Sequence, residues 1–226
     1  MNTYQELLNF INEFNKNNDV EFEIDSIRIE FSKQHKLNEL KQLGNWKRLL
    51  KNSNILYKLK NRLAVDEVTS AYQLEKQNIY FYNKKDETKK YRKAEMVIFG
   101  MKQYHKEPPP HSLVEKIVNM LTFKTSKVNS NIDVCFDMKI KPKINNLKAF
   151  FELKQYRSKS GKLTDTFYIN STYDNMIEKI TIYNKALKNN LDGTLWRIEA
   201  KVLTPNIKCL QLPLSEFKNV ISIAKG

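Results

Sequence analysis

KITIYNKALK, Lys179 to Lys188, and LWRIEAKV, Leu195 to Val202, are the two runs whose reading decides the fold. Each alternates with a period of two, which puts successive side chains on opposite faces of a strand. Ile180 and Ile182 oppose Lys179, Thr181 and Tyr183, while Trp196, Ile198, Ala200 and Val202 oppose Leu195, Arg197, Glu199 and Lys201. A third run, NIDVCFDM, sets Ile132, Val134 and Phe136 against Asp133, Cys135 and Asp137. The spacing predicts three strands, each with an apolar side for covering helices and a polar side carrying carboxylates, a tyrosine or an Arg-Glu pair.

Working outward, Leu7, Leu8, Ile11 and Phe14 recur at helical spacing, so residues 2–17 read as an amphipathic helix. FEIDSIRIEF alternates and reads as a half-buried strand, with Ile27, Ile29 and Phe31 opposing Ser26, Arg28 and Glu30. Residues 37–74 look mostly helical, with a break near 51–54. NIYFYN and KAEMVIFG read as a hairpin across the charged turn KKDETKK.

Pro108 to Pro110 exclude helix and central strand, and Ser112 with Glu115 forms the spacing of a capping box for a helix running to Leu121. A helix over 144–155, the turn RSKSGK, the strand DTFYIN and a terminal helix in SEFKNVISIA complete the pattern. Several strands are joined by connections too short for a crossover helix. The expected class is therefore α+β: a central antiparallel sheet with helices mainly on one face. A single domain over 1–226 is expected, its halves 1–107 and 111–226 separated by the proline-rich loop.

The chain has 226 residues and a formal charge of +14, with 41% hydrophobic and 11% aromatic residues, enough for a sizeable core. The charge points to a polyanionic partner, nucleic acid first, although a Lys-, Asn- and Ile-rich composition also arises from AT-rich coding DNA. The apolar runs are too short to span a bilayer, and MNTYQELLNFINEF lacks the pattern of an export signal, so a cytoplasmic protein is expected. Cys135 and Cys209 lack metal-ligand spacing and read as buried small apolar residues.

If the late strands are neighbours, Asp133, Asp137 and Glu199 offer oxygen ligands for a hard cation such as Mg²⁺ or Mn²⁺, with Tyr183 beside them. A tyrosine hydroxyl next to a metal that polarises a phosphodiester is the arrangement covalent phosphoryl transfer requires. Lys179, Lys185, Arg197 and Lys201 stand ready to hold the phosphate. Ordinary roles compete: tyrosine is a good strand former, Asp133 and Asp137 can pair with lysines, and Arg197 with Glu199 can make a surface ion pair. Tyr156 reads as a packing residue, and RSKSGK as a solvated turn.

The order IDVCFD, TFYINSTYDN, ITIYNKALK and WRIEAKV resembles the core of the Rep_trans family, the rolling-circle replication initiators of small bacterial plasmids. Ile132, Asp133 and Asp137 match its R-I-D-x-x-x-D strand, and Tyr168 to Ser171 its Y-x-G-S strand. Ile182 to Lys185 match its I-Y-(D/N)-K strand, and Arg197 with Glu199 its R-x-E strand. Asn131 stands where arginine is common, and Asn170 replaces a glycine.

The resemblance spans about a third of the chain, 131–203. It implies a relaxase-like sheet bearing a divalent metal, and an initiator that nicks single-stranded or hairpin origin DNA. Such an initiator becomes joined through tyrosine to the 5′ phosphate and leaves a 3′ hydroxyl for host polymerase and helicase. Tyr183 is the expected nucleophile, with Tyr168 and Tyr173 as alternatives. Neither His105 nor His111 belongs to a His-hydrophobe-His pair. Two other classes remain: a non-catalytic DNA- or RNA-binding module, and a metal nuclease that activates water. A homodimer is compatible with all of them.

Overall fold

The computed structural model describes residues 2–63, 68–75, 77–84, 93–104, 107–122, 130–158 and 160–226. His105 and most of the expected KKDETKK turn lie outside them. In chain order the elements are α1 (Thr3–Asn18), β1 (Glu23–Ser32), α2 (Lys33–Gln42), β2 (Trp46–Arg48), α3 (Asn54–Leu63), β3 (Val68–Leu74), β4 (Ile79–Lys84), β5 (Lys93–Phe99) and α4 (His111–Thr122). They continue with β6 (Ser130–Met138), α5 (Ile144–Phe150), β7 (Leu153–Arg157), β8 (Leu163–Ile169), β9 (Ile177–Asn184), α6 (Lys185–Asn189), β10 (Trp196–Leu203) and α7 (Gln211–Lys225). The fold class is α+β, and every strand pairing described is antiparallel. Among the described residues no helix is long and apolar enough to cross a membrane.

The contacts divide the chain into two compact units. The first comprises residues 1–5, 26–103 and 107–130, and the second residues 6–25, 104–106 and 131–226. The triple proline therefore lies inside the first unit.

In the first unit the strands run β2-β3-β4-β5-β1. Leu56 and Leu59 of α3 pack with Leu49, Ala71, Tyr82, Val97 and Phe99 into one buried cluster. Three expectations are corrected here. VTSAYQL is strand β3, not the end of a helix, and it pairs with β4 on one side and β2 on the other. FEIDSIRIEF is buried on both faces at its centre, where Ser26 and Arg28 are buried along with Ile27 and Ile29. The capping box is not formed: α4 begins at His111, and the carbonyl of Pro110 accepts from the amides of Leu113 and Val114. Pro110 thus stands at the N-cap, its carbonyl accepting the first intrahelical bond from Val114, and Ser112 falls inside the first turn.

In the second unit the order is β6-β10-β9-β8-β7. Ile198 lies opposite Phe136 on one side and Ile182 on the other, and Ala200 lies between Val134 and Ile180. That apolar face is closed by the phenylalanines of α1, β6 and α7. Phe22 has its ring 5.9 Å from Phe14, 4.9 Å from Phe217 and 6.2 Å from Phe136. Truncating a ring of this kind, for example Phe217→Ala, costs about 3–5 kcal/mol through lost transfer energy and the cavity left behind.

The expected helix over 144–155 is shorter. It ends at Phe150, and LKQYR becomes the edge strand β7 paired with β8. Of the expected RSKSGK turn the described residues close that hairpin: the Ser158 amide donates to the Lys162 carbonyl, and Gly161 adopts a φ of 78°, a left-handed conformation open to glycine. Cys135 is buried as expected, whereas Cys209 is exposed.

Candidate functional site

The register of β6, β10 and β9 brings the polar positions into rows. Arg197 faces Asp137 on one side and Tyr183 on the other; Glu199 faces Cys135 and Thr181; Lys201 faces Asp133 and Lys179. The parity read from the sequence is thus the parity of the folded sheet. A short helix fixes the end of β9. Asn184 caps α6 by accepting from the Leu187 amide at 2.9 Å, and the amides of Lys185 and Ala186 donate to the Leu195 carbonyl.

Arg197 is the centre of the site, and it is not the surface ion-pair residue the sequence suggested. Its side chain is 0% exposed. Nε and Nη2 each donate to Asp137 at 2.6 Å, Nη1 donates to Asp25 at 2.8 Å, and Nη1 lies 3.7 Å from Glu199. A fork of fixed donors held by carboxylates in this way suits guanidinium geometry. Burial alone would raise the Asp137 pKa, but the hydrogen bonds and charge of Arg197 outweigh it and hold the carboxyl below its ordinary value.

Tyr183 donates its hydroxyl proton to Glu199 at 3.0 Å, and Lys188 Nζ lies 4.3 Å over its ring. The residue is 6% exposed. Burial and the Glu199 charge push its phenol far above the usual tyrosine range, so it is neutral at physiological pH. The Glu199 carboxyl is also raised, by burial and by the charges of Asp25 and Asp133. A carboxylate so placed accepts a proton readily.

Two residues of this site were not anticipated. Asp25 interrupts the apolar parity of FEIDSIRIEF, and a carboxylate in an apolar register is a signal that a buried partner exists. Tyr104 carries no such signal, since MKQYHKEPPP has no period. It donates to Asp137 at 2.7 Å and receives Lys185 Nζ at 5.0 Å and the Arg197 guanidinium at 6.0 Å over its ring. Lys185 is 4% exposed, and burial followed by the Arg197 charge lowers its pKa, so it belongs to this cluster and not to an open surface.

The remaining expected residues are spread out. Lys201 pairs with Glu178. Lys179 Nζ lies 5.0 Å over the half-buried ring of Tyr168, and Tyr173 is 81% exposed. His111 starts α4, with its ring 5.0 Å from Tyr4.

Asp133, Asp137 and Glu199 share a face but do not form one ligand set. Asp133 and Asp137 lie four residues apart on one strand, about 13 Å at Cα, which two aspartate side chains cannot span to a single ion bound at ~2 Å. Both Asp137 oxygens are moreover engaged by Arg197. Among the described residues no group of three or more His, Cys, Asp and Glu side chains is gathered as a metal site. Glu199 and Asp133 are the carboxylates of this set not held by the guanidinium fork, and the Asp133 charge contributes to the raised Glu199 pKa.

These features define an antiparallel α+β sheet carrying an arginine-carboxylate-tyrosine cluster. The fold is similar to that in the "Structure of Rolling Circle Replication Initiator Protein from Geobacillus stearothermophilus", with a TM-score of 0.53 and 15% identity, over 85% of this chain and 78% of that one. No protein-family model matches the chain, and no curated protein matches it.

Proposed function

We propose that this chain is a Rep_trans-type initiator of rolling-circle replication, which nicks and joins single-stranded origin DNA through a tyrosine. The observation that carries the reading is the Tyr183–Glu199 hydrogen bond, formed by the I-Y-N-K and R-x-E strands within a fold like that of an initiator.

In this reading the Tyr183 oxygen attacks the phosphorus in line while its proton passes to Glu199, whose raised pKa suits it to that role. The bond to the 3′ oxygen breaks, that oxygen takes a proton, and the 5′ phosphate remains on the tyrosine; joining is the reverse. Arg197 holds Asp137 and lies against Glu199, which keeps the two carboxylates apart and the Tyr183 acceptor in place. A Mg²⁺ or Mn²⁺ drawn to Asp133, beside the Tyr183–Glu199 pair, would neutralise charge on the phosphodiester.

The test is incubation with labelled single-stranded origin DNA and Mn²⁺, resolved on a denaturing gel. A covalent adduct in the wild type that is lost in Tyr183→Phe is the expected result. An adduct that persists in Tyr183→Phe moves the nucleophile to Tyr168 or Tyr173, and cleavage without an adduct assigns the attack to water. A second reading, a DNA- or RNA-binding module without cleavage, draws on the burial of Tyr183 and its strongly raised pKa. Binding with neither cut nor adduct in Mn²⁺ selects it.

A further inference from the structure

The β7–β8 hairpin has surface properties that the cleavage chemistry does not use. Tyr156 on the edge strand was expected to pack, yet it is 46% exposed. Its ring meets Tyr168 edge-on, with centroids 6.2 Å apart and planes at 84°. Lys154 lies directly opposite Tyr168 in the register, and Lys179 lies over the Tyr168 ring at 5.0 Å. The register of the hairpin shifts between Gln155 and Arg157, and the ring contact with Tyr168 places Tyr156 beside that residue. Residues 152–168 carry four basic and two acidic side chains. Tyr168 is in turn opposite Thr181 of β9, the neighbour of Glu199.

We propose that Tyr156 and Tyr168, flanked by Lys154 and Lys179, form a stacking platform for single-stranded DNA that delivers the strand to Tyr183. Two features together point to this ligand. The exposed Tyr156 ring accepts any unpaired base, and Lys179 together with Lys154, which lies 3.5 Å from Glu152, offers charge to the backbone phosphate, a combination that a duplex with its bases already stacked cannot exploit. From β7 to β9 is two strand spacings, about 10 Å, so a base on Tyr156 puts the next phosphate or two within reach of Tyr183. The identity of the ligand rests on the DNA reading above; the platform itself rests on the geometry of the hairpin.

The experiment is fluorescence anisotropy of a short labelled oligothymidylate in EDTA, with a hairpin duplex of the same charge as comparison. Tyr156→Ala is expected to weaken oligothymidylate binding about tenfold or more, and Tyr156→Phe to retain it, because one base-aromatic stack contributes ~1–3 kcal/mol and 1.4 kcal/mol is tenfold. Duplex binding should change less than oligothymidylate binding. Tyr156→Leu, which keeps bulk without a π face, should behave as the alanine variant does, and thermal melting of each variant verifies the fold. Wild-type affinity in both Tyr156→Ala and Tyr156→Leu overturns the platform, as does an equal loss for duplex. Because the readout needs no metal and no cleavage, it separates from the test of function. Adduct formation with unaltered binding in Tyr156→Ala rejects the platform only, whereas lost binding in a protein that never forms an adduct rejects the nicking activity only.

Discussion

Arg197 is fully inaccessible and holds three carboxylates around one guanidinium. Lysine cannot replace it, since an ammonium lacks the fork that reaches both Asp137 oxygens and Asp25 at once. Arg197→Ala leaves buried carboxylates uncompensated and should lower stability by ~3–5 kcal/mol, with Arg197→Lys, which keeps the charge and loses the fork, falling between it and the wild type in denaturant or thermal unfolding. Acid resistance should change with it. The Asp137 pKa is lowered in the folded protein, so its stabilisation is complete above the ordinary aspartate value of ~3.9 and fades as pH falls through the lowered one. As pH falls through that window the wild type should therefore lose stability more steeply than Arg197→Lys does.

Among the elements, α6 is short and depends on its cap. Asn184→Ala removes the acceptor for the Leu187 amide and should cost about 1 kcal/mol, measured by thermal melting. It should also disturb Lys185, which follows the cap directly. Strands with a clean period of two were legible in the sequence: β6, β9 and β10 appear where the alternation put them, and their shared polar row followed from it. β3 and β7 were not. VTSAYQL and LKQYR are short and lie next to helical segments, so neither offers enough alternation to outweigh its neighbour. What makes them strands is the partner each finds, β4 for β3 and β8 for β7. In the site, parity exposed Tyr183, Glu199, Asp137 and Arg197 as companions. It could not show that Arg197 turns inward to Asp25, 172 residues away in the chain, nor that an aperiodic loop supplies Tyr104.

For the whole molecule, the charge of +14 sets how any nucleic acid is held. Binding should weaken linearly in log K against log salt, with a slope of about −0.7 per phosphate neutralised on a single strand. Anisotropy titrations across a salt series measure it. Loss of Tyr156 should shift the line down and leave its slope in place, since stacking releases no counterions. The strand order of the second unit has one more consequence. β10 lies between β6 and β9, so an inner strand is made after both of its neighbours. At 5–20 residues per second, roughly 10–30 s separate the synthesis of Asp25 from that of its arginine. For the last part of that interval, roughly 3–12 s after Phe136 is made, the nascent chain carries Ile132, Val134 and Phe136 on a strand with one neighbour still unmade, a stretch on which a chaperone has time to act.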